Sequence, residues 1–138
     1  MDSYVTETIP EHTPGACREA LIPVTEVLAQ IGGKWTVHIL LGLAQREHRF
    51  SELLRSIEGI SQKMLTATLR DLERDGFVTR AVTPSIPPRV DYAITEMGRE
   101  LVRPLSSLAR WARENRHRVE DARENFAKRE QAARRLAW

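Results

Sequence analysis

The hydrophobic pattern changes its period at Gly76, and this change most limits the folds that the chain can adopt. Before Gly76, apolar residues recur every three or four positions, which is typical of amphipathic helices. After it, residues 77–82 and 89–95 follow a period of two, with successive side chains on opposite sides, which indicates two short strands. The loop between them contains Pro84, Pro87 and Pro88, and proline fixes φ. The sequence therefore predicts a mainly α chain with a small β-hairpin.

Four helices are predicted before the hairpin. The first runs from Cys17 to Ile31. The second, within residues 34–44, is apolar nearly all round, so we expect a buried central helix with His38 in the core. The third begins after Ser51, a residue type that commonly caps helices, and ends at a short break over residues 58–61.

The fourth helix has the clearest end signals. Ser61 can cap its first turn, and Gly76 can supply the left-handed residue that ends it. Helix, break, helix and hairpin in this order make a winged helix-turn-helix. The residues expected on the inner face of this helix are Met64, Leu65, Leu69 and Leu72.

A last helix follows Thr95, a candidate cap, and Pro104 should kink it or mark a first-turn boundary. We divide the chain into a flexible arm (1–16), the winged helix-turn-helix domain (17–112) and a C-terminal helical extension (113–138). Two alternatives stay open for the extension: packing across a dimer, or a frayed charged tail. Its sparse apolar residues include Val119, Ala122 and Phe126 at helical spacing.

Charge is distributed unevenly along the chain. The net charge is +2, yet residues 1–33 hold one basic and five acidic residues, and residues 34–90 hold nine basic and six acidic. No apolar run is long enough for a membrane span, and the N-terminus lacks the features of a signal peptide. The single cysteine fits a reducing compartment. We therefore expect a cytoplasmic protein without a membrane partner.

The outer face of the fourth helix predicts contact with double-stranded DNA. The N-terminal residues of a helix in the major groove reach base edges, and Gln, Lys and Thr can pair with bases there. A wing at the same surface would place arginines on the backbone or the minor groove. The candidate DNA-binding residues are Arg49, Ser61, Gln62, Lys63, Thr66, Arg70, Arg80 and Arg89.

The candidate DNA-binding residues also allow interpretations other than DNA binding. The polar residues can be an ordinary solvated face, and a winged helix can serve as a protein–protein interaction module without binding DNA. No acid–base or nucleophile constellation supports an enzyme. The four histidines share no metal-ligand spacing, and no cofactor-binding motif is present. The sequence therefore predicts neither catalysis nor a cofactor.

Three stretches, residues 31–40, 49–80 and 87–98, closely resemble the HxlR-type winged-helix transcriptional regulators, a branch near the MarR group. The most specific are "GISQKMLTATLRDLERDG" and "PPRVDYAIT". The resemblance implies a cytoplasmic, homodimeric, DNA-binding regulator, expected to be a repressor on a pseudo-palindromic operator. It also implies that the first and last helices form the dimer.

The chain departs from this family at its cysteine. Many members resemble "CPV" before the first helix, and in some that cysteine senses oxidants; here the stretch reads "IPV", with Ile22 at that position. Cys17 is either a displaced redox sensor or an incidental thiol. Trp35 and Trp111 are either core anchors or the lining of an effector cavity near the dimer interface.

Overall fold

A computed structural model describes residues 16–137, with side chains from residue 19 onward. The predicted arm, residues 1–16, lies outside the described residues except for its last residue. The structure contains five helices and three strands in the described range, in the order α1 (Ala16–Ile31), α2 (Thr36–Gln45), β1 (His48–Arg49), α3 (Phe50–Ser56), α4 (Gln62–Arg74), β2 (Val78–Thr83), β3 (Arg89–Ile94) and α5 (Glu96–Leu136).

The core lies where α2, α3 and α4 meet. Each helix supplies leucine or isoleucine at helical spacing, so one stripe of each is removed from water, which is the main stabilising contribution to such a fold. The largest fully buried side chains are Ile39, Leu40, Leu43, Leu53, Leu65 and Leu69.

The predicted hairpin is confirmed, but the sheet has a third strand. Strands β2 and β3 pair antiparallel from Val78 opposite Ile94 to Thr83 opposite Arg89. Strand β1 pairs antiparallel with the other edge of β3, which gives the order β1-β3-β2. Two residues are too few to show alternation, so the pattern could not reveal β1.

The junction of α4, the wing and α5 follows the predicted caps. Gly76 has φ of +82°, a left-handed conformation that glycine adopts without strain. The Thr95 hydroxyl donates to the Gly76 carbonyl at 2.7 Å and accepts from the Gly98 amide at 3.0 Å. This hydroxyl therefore fixes the start of α5 to the end of α4.

Close packing at Gly98 gives a testable consequence. A Cβ atom at this position would lie against the carbonyl oxygen of Phe77 and 2.7 Å from Cγ1 of Ile94. We expect Gly98→Ala to lower the free energy of unfolding by about 1–3 kcal/mol, since overpacking forces neighbouring backbone to shift. Urea denaturation at fixed protein concentration measures the change.

Gly42→Ala is the matched control, because Gly42 lies inside α2 and no heavy atom lies within 4 Å of its added Cβ. Alanine in a helix interior is favoured over glycine, so we expect a gain of about 0.5–1 kcal/mol. Equal effects of the two substitutions would contradict the packing argument.

One predicted helix cap, Ser51, and one predicted core residue, Met64, are wrong. Helix α3 begins at Phe50, with Arg49 as its N-cap and no side-chain capping bond, so Ser51 is inside the helix. Met64 is 47% exposed and does not join the inner stripe of α4, whereas Leu65, Leu69 and Leu72 are buried as expected. The buried stripe on α4 is therefore narrower than the sequence pattern predicted.

Helix α5 is one continuous element through Pro104, so of the two expectations for this proline the boundary is wrong and the kink stays a prediction. Leu105 is buried against the domain, but Leu108 and Trp111 are each 55% exposed. Trp111 is therefore not a core anchor, while Trp35 is half-buried and packs against the core.

Among the described residues no single helix is long and apolar enough to cross a membrane. Only α1 and α2 together, which are bent by 85° relative to each other, reach that length and hydropathy.

Candidate nucleic-acid interface

Helix α4 presents two faces with different chemistry. Leu65, Leu69 and Leu72 are buried, and at about 100° per residue Lys63 lies roughly opposite them. Arg70 lies on the same outer side as Lys63, two turns later. The predicted DNA-contacting residues of this helix all have exposed side chains: Gln62, Lys63, Thr66 and Arg70.

The first turn of α4 is shaped by Ser61. Its Oγ accepts a hydrogen bond from the Met64 amide at 3.0 Å, as the sequence predicted. A hydroxyl that accepts still has a proton to donate, and the first amides of a helix have no intrahelical partner. Ser61 and the start of α4 can therefore bind a phosphate oxygen.

Thr66 has a narrower range of contacts than its residue type allows. Its hydroxyl donates to the Gln62 carbonyl at 2.8 Å, so the proton is already used. The oxygen can accept from a base, and the methyl group can contact a thymine methyl. Thr66 is therefore suited to apolar or acceptor contacts with a base edge.

A cleft between α4 and the wing brings together three predicted site residues, Thr66, Arg70 and Arg80. Its floor contains Leu69 and Tyr92, both buried. Glu73, which the sequence prediction did not include, also lines it. The carboxylate places a negative charge beside the two arginines.

A neighbouring cleft brings together Arg49 and Arg89. It lies between the start of α3 and the wing loop, and Ser51 and Pro88 also line it. Both clefts share Phe50 and Val90, so they are continuous along one side of the domain. Five predicted residues from four elements thus lie around one surface: Arg49, Thr66, Arg70, Arg80 and Arg89. Ser61, Gln62 and Lys63 do not line either cleft; they lie at the N-terminal end of α4.

The ion pairs divide the basic residues of this surface into two groups. Arg89 bonds Asp91 at 3.0 Å, and Arg49 lies 4.0 Å from Glu52. None of the ion pairs in the described range includes Lys63, Arg70 or Arg80. These last three cations can therefore bind phosphates or bases without first breaking an internal pair.

Ion pairs shift the pKa of one carboxylate and one arginine near this surface. The hydrogen bond from Arg46 lowers the pKa of Glu52, and the charges of Arg46 and His48 act in the same direction. The hydrogen bond to Asp75 raises the pKa of Arg74, helped by the charges of Asp75 and Asp71. Arg74 is exposed on α4 but already bound to these two aspartates.

Comparison with known proteins agrees with this geometry. The family model described as HxlR-like helix-turn-helix matches residues 30–120, which include α2, all three strands and the first part of α5. The chain belongs to the HxlR-like helix-turn-helix family. The resemblance seen in the sequence is thereby confirmed, the chain is a DNA-binding transcriptional regulator, and the residues that line both clefts lie within the matched range.

Relatives of this HxlR-like chain are regulators of the same size class. It is 44% identical over 98 residues to the HTH-type transcriptional regulator YtcD of Bacillus subtilis, which covers 71% of this chain and 78% of YtcD. The structure of the transcriptional regulator YtfH from Salmonella typhimurium matches with a TM-score of 0.67 at 40% identity, over 74% of this chain and 91% of YtfH. The redox regulator HypR in its reduced form matches with a TM-score of 0.68 at 39% identity, over 72% of this chain and 98% of HypR.

The residues outside this surface give a mixed outcome. The backbone of Cys17 lies in α1, but its side chain is not among the described ones, so its sensor role stays a prediction.

His38 is exposed, and a ring nitrogen lies 3.3 Å from the Lys34 carbonyl oxygen, so the expectation of a core histidine is wrong. Trp35, His38 and Gln45 line an open cleft beside α2, which His48 of β1 and Ser56 of α3 also line. In the described range no three histidine, cysteine or acidic residues form a metal-binding group.

Signals for the missed residues were present in the sequence. Glu73 follows Arg70 by three positions, which places it on the same face of a helix. Asp91 follows Arg89 by two positions, which places both on the same face of a strand. Both neighbours could have been inferred from these spacings.

Proposed function

We propose that this HxlR-like regulator is a cytoplasmic repressor that acts as a homodimer on a pseudo-palindromic operator, and that it acts by binding and not by catalysis. Gln62, Lys63 and Thr66 read bases in the major groove. Ser61, Arg49 and Arg70 hold phosphates, and Arg80 and Arg89 serve the wing. The observation that supports these roles best is the continuous surface around the two clefts, to which α4, β1, β2 and β3 each contribute an exposed arginine or polar side chain.

The dimer is supported by the outer face of α1. Four large apolar side chains on this helix, Leu21, Ile22, Val24 and Leu28, are each at least half exposed. A soluble protein rarely leaves so many together in water unless a partner covers them. In a symmetric dimer two copies of α4 would enter successive major grooves about 34–36 Å apart.

Two signals are candidates for controlling this regulator. HypR is a redox regulator, so a redox response through Cys17 is the first candidate, but Ile22 stands at the position of the family cysteine. A small-molecule effector is the second candidate. Selection of bound DNA with and without an oxidant tests the first, and a Cys17→Ser variant that responds equally would exclude it.

The phosphate role is tested by salt dependence. Operator fragments are first selected from a random DNA pool, and affinity is then measured by fluorescence anisotropy from about 50 to 200 mM salt. We expect Arg70→Ala to weaken binding to all sequences and to reduce the salt slope by about one, because one phosphate contact is lost.

Arg74→Ala is the matched control for this measurement. It removes the same charge from the same helix, but Arg74 already pairs with Asp71 and Asp75. We expect little change in affinity or slope. Equal slopes for both variants would remove Arg70 from the interface, and no salt-dependent DNA binding by the unmodified protein would favour a protein–protein module.

A further inference from the structure

The second half of α5 packs against none of the other elements that the structure describes. From Trp111 to Ala137 every described side chain is exposed except Asn115, which is partly covered. Phe126 is 59% exposed and Val119 is 38% exposed. Most of the stability of a helix in a protein comes from packing an apolar face, and this segment lacks such packing within the described chain. This part of α5 therefore has the features of a helix that packs on a partner.

The apolar residues of this segment follow a heptad repeat. Starting at Leu108, alternating steps of four and three residues reach positions 112, 115, 119, 122, 126, 129, 133 and 136. We call the eight residues at positions 112 to 136 of this series the seam. All are apolar except Asn115 and Arg129. Four successive heptads with charged residues on both sides are the pattern of a coiled coil.

We propose that the seam pairs antiparallel with the seam of a second copy of this chain, with Ala122 of each copy beside Phe126 of the other. The twofold axis would then pass near residue 124, the middle of the seam. Each helix would contribute about 37 Å to the contact, at 1.5 Å per residue. This pairing goes beyond DNA binding, because it concerns residues that line neither cleft of the DNA-binding surface.

Side-chain size supports this register. In an antiparallel coiled coil each a position packs beside a d position of the other helix. Phe126 then faces Ala122 of the second copy, and Leu136 faces Ala112, so the two largest apolar side chains of the seam each lie against an alanine. Trp111, Val119 and Phe126 line one open groove on this face.

Charge supports the antiparallel orientation. A parallel pair would place Arg129 beside Arg129 of the second copy inside the seam, where repulsion is least screened. The antiparallel pair instead places Arg116 near Glu130 of the second copy, twice by symmetry. Arg116 already bonds Glu120 at 2.8 Å, so it would be shared between two carboxylates. The antiparallel register leaves one like-charge contact, between the two Arg123 side chains, at the solvated edge.

Spin-label distances test the pairing in the full-length protein. In a Cys17→Ser background, a single cysteine replaces either Asn125 or Arg135, and pulsed EPR measures the distance between the two copies. The antiparallel seam predicts a distance below about 20 Å between the two labels at position 125. It predicts a distance above about 33 Å between the two labels at position 135, because this position lies eleven residues from the twofold axis. A parallel coil predicts short distances at both positions, and unpaired extensions predict long ones at both. Any pattern other than short at 125 and long at 135 overturns the proposal.

A matched pair of substitutions isolates the seam from other dimer contacts. Phe126→Lys places a charge in the seam and should abolish the short distance at position 125. Ala127→Lys adds the same charge one residue away, on the outer face, and should leave the distance unchanged. An unchanged distance in the Phe126→Lys variant would contradict the pairing. DNA affinity is measured in parallel, so a failure of DNA binding with intact distances would sink the proposed function and leave the pairing standing.

Discussion

Replacing Lys63 by alanine is expected to weaken operator binding by about 10- to 100-fold, because a good contact between a side chain and a base contributes about 1–3 kcal/mol. Lys63 is exposed, lies roughly opposite the buried face of α4, and takes part in none of the ion pairs in the described range. It can therefore extend into the major groove without losing an internal partner. Fluorescence anisotropy on the selected operator measures the change.

The loss of affinity caused by Lys63→Ala should depend on the identity of one base pair of the operator. If Lys63 reads a base, the alanine variant should bind the operator and its single-base variants at that position with similar affinity. The free energy of unfolding should stay within about 0.5 kcal/mol of that of the unmodified protein, since the Lys63 side chain is at the surface. A uniform loss across all sequences would assign Lys63 to a phosphate instead.

Lys128→Ala provides the control for this substitution. It removes the same residue type from α5, where Lys128 pairs with Glu124 at 3.4 Å and lies outside both clefts. We expect no change in operator affinity. Equal losses from Lys63→Ala and Lys128→Ala would show that only net charge matters and would reject the base-reading role.

The sequence predicted those parts of the fold that depend on local chemistry. Ser61 and Thr95 cap their helices through side-chain oxygens, and Gly76 ends α4 with a positive φ. Each of these features needs only a particular residue type at a particular turn. The hairpin was predictable for the same reason, because alternation is a local signal.

Features that depend on neighbouring elements could not be predicted in this way. His38 belongs to a helix that is apolar nearly all round, and only the packed structure shows that His38 lies in an open cleft. Met64 fits the period of the inner stripe, but the packed structure leaves it 47% exposed. Strand β1 forms because β3 offers a free edge, which two residues cannot signal.

Within the candidate interface, the residue types were predictable and their pairings were not. Arg74 follows Arg70 by four positions and carries the same charge, but the sequence prediction included only Arg70. The structure supplies a reason for this difference, because Arg74 is bound to Asp71 and Asp75. Arg89 lies on a strand of the wing, where its bond to Asp91 means that the predicted contact with DNA would compete with an internal ion pair.

Leu69→Ala should cause the largest loss of stability among the substitutions considered. Leu69 is 1% exposed at the centre of the core, where its removal leaves a cavity beneath α4. Buried leucine-to-alanine changes cost about 2–5 kcal/mol, against a total of about 5–15 kcal/mol for a domain. Urea denaturation at fixed protein concentration measures this loss, because a dimer's stability depends on concentration.

Met64→Ala separates the effect of burial from the effect of shortening a side chain on α4. Met64 is 47% exposed, so about half of its transfer free energy is never gained on folding, and we expect a loss below about 1 kcal/mol. Helix propensity changes little and similarly in both variants, since leucine and methionine are both good helix formers. Similar losses for the two variants would mean that Met64 is covered in solution, as by a second protomer. A large loss for Leu69→Ala alone would show that this leucine anchors the helix that carries Lys63 and Arg70, because these side chains can be held toward DNA only while the opposite face stays packed.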